Sequence, residues 1–411
     1  VSAPPPPPRG IFKARPEDFV VEEIPLYEPS GEGDHLYLRF TKRNLPTDAV
    51  VKSVARALGV DVRDIGVPGL KDKVGVTTQT ISIPLTGPGR DAAKVIDLAA
   101  NLAIEGVVFH EARRHANKLR TGHLAGNRFT IVVRDVEAGR VGEVIDALER
   151  IGREGAPNAF GTQRFGREGD NAKRAQAWLR GEWAGPRDGR ARRFLWSSLQ
   201  SAIFNDVLAR RRHEGTWRIP LEGDVLQKED SGGLFLCANV HADRARAETG
   251  EVSPTGPIVG VKMRAPTGAP LELESEVTTL WLGEAFDLSR VRALGEGTRR
   301  SLRTPVSGMR VAVHACDPGE TSLMETAGQR TEIPRDSREQ RPGVRVEFVL
   351  PKGAYATTVL SAALTLDAST TDEVTREGAR GHNSSADEPR VAQASKSASA
   401  VETEDVVDES Q

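Results

Sequence analysis

The 411-residue chain has only two cysteines, Cys237 and Cys316. Two thiols make neither a disulfide framework nor a zinc spacing. The eight histidines form no HxxxH pair, and there is no CxxC. A reducing compartment and a metal-free mechanism are the default expectations. No window approaches the ~20 consecutive apolar residues a membrane span needs. The N-terminus lacks the charged-then-apolar order of a signal peptide and carries a proline run instead, Pro4 to Pro8, read as an extended leader over 1–10. Together these absences point to the cytoplasm. No GxGxxG precedes a helix and no GxxxxGK is followed by Ser or Thr, so nucleotide-cofactor and P-loop readings fail. Neither a GxSxG nor a Ser/His/Asp order stands out.

Charge is unevenly spread. The formal net charge is −2, from 58 acidic and 56 basic residues. From Ser361 onward there are 11 acids and four bases, which leaves a mildly basic body of 47 acidic and 52 basic residues. The segment 367–411 is rich in Ser, Ala, Thr and acids and nearly free of large apolar residues. Such a segment buries too little surface to offset the entropy of ordering, so a disordered acidic tail is expected. A basic body permits a nucleic-acid partner.

Periodicity predicts a mixed fold. Leu36, Leu38 and Phe40 alternate as one strand face. Val51, Val54 and Leu58 repeat at helical spacing, with Thr47 as the expected N-cap and Gly59 as the stop. A helix is expected within 91–105, then a strand, a basic connection and a second strand, then a helix carrying Val144, Ile145, Leu148 and Ile151. From Gly155 to about Arg303 the character shifts to an Arg-rich loop over 185–193 and a helix capped by Ser197 or Ser198. After Thr304 strands return: Met309, Val311 and Val313 alternate, as do Val344, Val346 and Phe348. The pattern is a sheet domain, 11–154 and 304–366, interrupted by an insertion, 155–303.

The most informative stretch is VPGLKDKVGVTTQTISIP, residues 67–84. It sets Asp72 between Lys71 and Lys73, after a Pro-Gly turn and before a strand with Gln79, Ile81 and Ile83 on one face. A carboxylate beside two ammonium groups stays ionised at neutral pH. That suits a nucleophile or an electrostatic stabiliser better than a proton donor. A charged surface turn is the plainer alternative.

Arg113, Arg114, His115, Lys118, Arg120, His123 and Arg128 cluster with Glu111 as the one nearby acid. Sugar-phosphate backbones call for such density, although a solvated connection has the same composition. Asn127 offers a donor and an acceptor to a base edge, and Phe129 a stacking face; both residues also suit a turn and a strand. FGTQRFG, with Arg164, and LPKGAY, with Tyr355 beside Gly353, read either as contact segments or as a junction turn and a strand end.

Taken together, these pieces resemble the TruD family of tRNA pseudouridine synthases. The resemblance is carried, in order, by FKARPEDFVVEEI (12–24), EPSGEGDHLYLRFTK (28–42), GLKDKVGVTTQ (69–79), RRHANKLRTGHLAGNRFTI (113–131), GAPNAFGTQRFG (155–166), SSLQSAIFNDVLARR (197–211), GDVLQ (223–227) and LPKGAYATTVL (350–360). It implies an α+β fold: a pseudouridine-synthase catalytic domain on a mixed, largely antiparallel sheet, with an α/β insertion and a tRNA cleft between them. It makes Asp72 the nucleophile and Lys13 its basic partner. Phe19, Asn127, Phe129 and Tyr355 become substrate contacts; Arg113, Arg114, Lys118 and Arg164 are expected RNA contacts from their charge. It implies tRNA as partner, uridine 13 of the D-arm as target, no cofactor, no metal, no membrane and a monomer. The chain departs from the family pattern at Ala159, where an aromatic is common, at the SAAL following ATTVL, and in the acidic tail.

Pseudouridine formation breaks a uridine's N1–C1′ bond, turns the base and rejoins it through C5. No atoms are gained or lost, so one ionised carboxylate in an enclosed pocket suffices, provided the base leaves its stack. Three rivals remain at this level. An RNA-binding module would bind tRNA without Asp72. A glycosidase would need a second acid near Asp72, and Asp64 lies across the turn. A purely structural protein leaves the ordered motifs unexplained.

Overall fold

The computed structural model describes residues 5–87, 89–137, 139–166, 168–315, 322–326, 329–333 and 342–368. The chain opens with β1 (Arg9–Phe12), β2 (Phe19–Pro25), β3 (His35–Arg43), α1 (Thr47–Leu58), β4 (Val76–Pro84), α2 (Ala92–Ala100), β5 (Val107–His115), β6 (Leu124–Arg134) and α3 (Val141–Glu154). It continues through β7 (Ala156–Pro157), α4 (Asn171–Leu179), α5 (Gly189–His213), β8 (Val225–Lys228), β9 (Leu234–Leu236), α6 (Val240–Glu248), β10 (Val252–Ile258), α7 (Gly268–Leu282), β11 (Thr298–Ser301) and β12 (Arg303–Thr304). The last elements are β13 (Ser307–His314), the hairpin β14 (Ser322–Thr326) and β15 (Gln329–Ile333), β16 (Gly343–Pro351), α8 (Ala356–Leu360) and β17 (Thr365–Ala368).

Nine strands form the main sheet in the order β13-β16-β6-β2-β4-β3-β5, with β1 beside β6 and β17 beside β1. The β2–β4 and β1–β17 pairs are parallel and the others antiparallel, the mixed and mostly antiparallel sheet expected. The alternation read from the sequence sets which face is buried. Leu36, Leu38, Phe40, Ile81 and Ile83 pack under α1 and α2. Phe19, Val21, Phe129, Ile131 and Phe348 pack under α3 and α8. The register puts both clusters on one face, because Val21 lies beside Thr77, and Thr77 is opposite Lys42, two residues from Phe40.

Between the two apolar clusters runs a polar stripe on that same face. It is made of Lys42, Thr77, Gln79, Glu23 and Asn127, with Asn127 opposite Glu23. The other face is polar: Glu22 bridges Arg39 and Arg128, and the Thr41 hydroxyl meets both Thr78 and His110.

The segment between α3 and β13 builds a second sheet, β11-β10-β8-β9. Its long helix α5 buries Trp196, Leu199 and Ile203. Two buried ion pairs, Arg211–Asp224 and Arg299–Glu274, are each bidentate, which satisfies charges that would otherwise be costly to bury. Where the chain enters and leaves this segment, β7 pairs with β12, Ala156 against Thr304. Ala159, the departure from the family pattern, packs beside Phe204, Leu208 and Leu302.

Several local expectations need correction. Thr47 is the first helical residue rather than the cap, which is Pro46. Its hydroxyl donates to Gln79 Oε1 at 2.9 Å instead. α5 begins at Gly189 behind an Asp188 cap, so Arg190, Arg192 and Arg193 are helical and Ser197 and Ser198 lie inside the helix. α2, Ala92–Ala100, lies within the expected 91–105. The leader gives way to strand at Arg9. β17 runs through Ala368, two residues into the expected tail, because Asp367 pairs with Arg9. The rest of the acidic tail lies outside the described residues.

Candidate active site

The segment carrying Asp72 is held at several points by its backbone and its neighbours. Gly66 exchanges two backbone hydrogen bonds with Ser82, and the Gly122 N–H donates to the Pro68 carbonyl. The Lys71 N–H donates to the Thr47 hydroxyl at 3.1 Å. At Gly75, φ is 137° and a Cβ would lie 2.6 Å from the Phe19 carbonyl oxygen, so only glycine fits where this loop crosses β2.

Asp72 itself projects outward, with 54% of its side chain exposed. Lys13 Nζ stands 3.8 Å from Asp72 Oδ1 and 3.9 Å from the centre of the Phe19 ring. Lys13 sits at φ 57°, a left-handed conformation uncommon outside glycine and often stored at functional sites. The carboxylate thus faces one nearly buried ammonium group whose other side rests on an aromatic face.

The charges around Asp72 are not simply its sequence neighbours. Lys71 turns away from Asp72 and pairs with buried Glu23 at 2.7 Å. Burial pushes the Glu23 carboxyl above its ordinary range, a rise opposed by Lys71. The cation that reaches the Asp72 backbone is Lys42, which sequence reasoning did not single out. Lys42 is fully buried and donates from Nζ to the Asp72 carbonyl oxygen at 2.7 Å. Burial lowers it to about 8, with Asp72 opposing the drop and Lys71 and Lys13 adding to it. Its one sequence signal was polarity at a strand position, on the face of Leu38 and Phe40, where an apolar residue is the rule.

Phe19 and Phe129 are buried and lie near each other, ring centres 6.2 Å apart, and Phe129 stacks on Phe348 at 5.4 Å. They form the floor beside Lys13. Asn127 borders the same stripe. Its Oδ1 is buried without a hydrogen-bond partner among the described residues, as are Thr77 Oγ1 and Gln79 Nε2. Thr77 and Gln79 are fully buried, so of the three residues it is partly exposed Asn127 that a ligand edge would meet.

The basic cluster lies elsewhere. Arg113 is paired in register with Tyr37, on the polar face of the sheet, and lines a cavity of about 310 Å³ with Tyr27, Arg39 and Arg128. Arg114 donates to the Gly33 carbonyl and Lys118 to that of Arg63. The face bearing Arg113 is opposite the stripe beside Asp72.

Arg164 and Tyr355 flank a different cleft, of about 440 Å³, lined by residues of the second-sheet segment and by Pro351 to Ala354. Arg164 engages the Ser201 and Ser197 hydroxyls. Tyr355 is 61% exposed and close enough to Arg300 to favour its charge, against a burial effect that lowers that guanidinium to about 10. Pro351 is paired with Gly126, one residue from Asn127, so this cleft begins where the polar stripe ends. Among the described residues no group of His, Cys, Asp and Glu could hold a metal, and no helix is long and apolar enough to cross a membrane.

The sequence pattern described as tRNA pseudouridine synthase D (TruD) matches residues 5–185 and 188–362, nearly all the described chain. The chain belongs to the TruD family. A tRNA pseudouridine synthase D of Anaeromyxobacter dehalogenans strain 2CP-1 is 42% identical over 357 residues, covering 85% of this chain and 91% of that one. A Thermus thermophilus protein of the same name is 36% identical, covering 87% and 90%. The solved structure of a candidate TruD from Methanosarcina mazei superposes with a TM-score of 0.66 at 23% identity, over 86% of this chain and 93% of that one, which supports the fold. Membership of the TruD family makes this chain an isomerase of the tRNA pseudouridine synthase class.

Proposed function

We propose that this protein converts uridine 13 in the D-arm of tRNA to pseudouridine in the cytoplasm, with Asp72 as nucleophile. The observation that carries the reading is the setting of Asp72: a solvent-facing carboxylate, 3.8 Å from Lys13, on a loop fixed from below by Lys42. In this reading residues 11–154 and 304–366 are the catalytic domain and 155–303 the insertion. The target nucleotide is extruded from its stack over the polar stripe. Asn127 Oδ1 accepts from the base edge, its unspent capacity matching a uracil N–H. Phe19 and Phe129 act as the floor, and exposed Tyr355 is the aromatic that closes over the nucleotide. Lys13, 3.8 Å away, holds the carboxylate in its attacking orientation.

Asp72→Asn keeps the volume and removes the charge. It should fold, bind tRNA with near wild-type affinity and make no pseudouridine, read by chemical mapping of tRNA modified in vitro. Pseudouridine at the wild-type level from a clean Asp72→Asn preparation rules the nucleophile out. The same variant separates catalysis from the alternative of an RNA-binding module.

A further inference from the structure

The 440 Å³ cleft between the second-sheet segment and the Pro351–Ala354 turn has a lining of unusual charge. Among its described residues are Arg164, Arg299, Arg300, Arg303 and Lys352, and not one Asp or Glu. Arg299 is accounted for by Glu274. The others have no carboxylate within ion-pair distance among the described residues. Arg300 is partly buried, with its guanidinium 4.2 Å from the centre of the Phe160 ring. It gives two of its five donors to Asn158, through Nε at 3.4 Å and Nη2 at 2.5 Å, and three remain. Arg303 Nε is buried with no hydrogen-bond partner among the described residues. Arg164 donates to two serine hydroxyls and lies 5.7 Å from the centre of the Phe160 ring.

Guanidinium groups drawn partly out of water are normally paired, because burial penalises the charge and an anion restores it. Here Arg300 and Arg164 converge with donors to spare and no carboxylate in the lining, while Arg303 feels Glu229 and Glu154 from outside it and donates to the Ala247 carbonyl. We propose that this cleft is a phosphodiester site, in which Arg300, pre-oriented by Phe160 and Asn158, forks onto a phosphate of the RNA backbone flanking the target nucleotide, with Arg164 and Arg303 beside it. The planar guanidinium fits two phosphate oxygens at once. The cleft starts next to Asn127 through the Gly126–Pro351 pair, so a backbone gripped there enters the polar stripe directly. The proposal rests on tRNA being the substrate, and it moves the main phosphate contact from the Arg113 cluster to this cleft.

The test uses the full chain and a D-arm stem-loop oligonucleotide. Arg300→Met and Arg164→Met are each compared with wild type for affinity across salt, with melting temperature as the folding check; exposed Arg164 serves if Arg300→Met does not fold. Each should weaken binding about tenfold and flatten the slope of log affinity against log salt by about one. KM should rise by more than kcat falls. A single neutral methylphosphonate walked through the oligonucleotide should, at one linkage, cost wild type the same tenfold and cost Arg300→Met nothing further. Inorganic phosphate is the free-anion arm, and it should compete with the oligonucleotide weakly in wild type and less in Arg300→Met. Wild-type affinity and slope in both folded variants overturn the proposal even where wild type makes pseudouridine. Tight phosphate binding without any change in oligonucleotide affinity also overturns it, assigning the cleft to a free anion. Wild type that makes no pseudouridine yet shows the variant effects leaves the phosphate site standing and removes the catalytic reading.

Discussion

Replacing Lys42 by methionine should make the fold more stable and the enzyme worse. The side chain is fully buried and its amine falls from 10.5 to about 8. That drop corresponds to roughly 3 kcal/mol spent on keeping the charged form inside at pH 7. Methionine has nearly the same shape and no charge, so the penalty disappears. The loss is one hydrogen bond to the Asp72 carbonyl, worth about 1 kcal/mol where water can reach the freed oxygen. The balance is a gain of about 2 kcal/mol, or a rise of roughly 4 °C in Tm at pH 7. Between pH 8 and 10.5 the unfolded wild-type chain binds more protons at Lys42 than the folded one, so wild-type stability rises with pH relative to the variant and the gap closes. Meanwhile the Asp72 loop loses its lower anchor, and kcat should fall about 10²-fold, the scale of a misplaced reacting group. Differential scanning calorimetry at pH 7 and 10, with single-turnover assays, measures both. A Tm several degrees below wild type at pH 7, or an unchanged kcat, would refute the reasoning.

Two further outcomes follow from the same structure. Replacing Arg113, Arg114 and Lys118 together tests whether the basic cluster is a second RNA wall: with Arg113 on the face opposite Asp72, tRNA affinity in a filter-binding assay should fall less than tenfold and the salt slope should change by less than it does for the Arg300 site. A larger loss would return the RNA path to that face. Ending the chain after Ser369 should leave turnover and Tm unchanged, whereas ending it after Leu364 removes β17 with the Arg9–Asp367 pair and should lower Tm by a few degrees; reduced turnover from the longer form alone would show that the tail takes part in the reaction.

The alternation of Leu36, Leu38, Phe40, Ile81 and Ile83 was enough to assign the buried face of two strands, because a period of two leaves no freedom once one side is apolar. The site was legible only as composition. Lysines 71 and 73 flank Asp72 along the chain, but in an irregular segment neighbours in sequence point apart, and Lys71 found a buried carboxylate 48 positions away. Lys42 showed only as polarity on an apolar strand face, because its partner is a main-chain oxygen, which no side-chain pattern records. Thr47 looked like a cap because threonine precedes many helices. Pro46 took that place, and the hydroxyl went to Gln79 and the Lys71 N–H instead. The Arg113 cluster read as one patch because charge runs carry no information about which side of a sheet they occupy.

The order of strands also bears on how the chain comes off the ribosome. β6 is flanked by β2 and β16, and β1 is joined by β17, so residues 9–134 meet partners more than 200 positions later. Until β16 emerges, β6 has an open edge and Phe129 lacks the ring that stacks on it. Translation at about 5–20 residues per second leaves that edge waiting for roughly ten seconds or more. In that interval the whole intervening segment is synthesised, with its own sheet and buried ion pairs already available. Completion of the main sheet is then a late, non-local event, slow by its contact order and exposed to edge pairing with other chains.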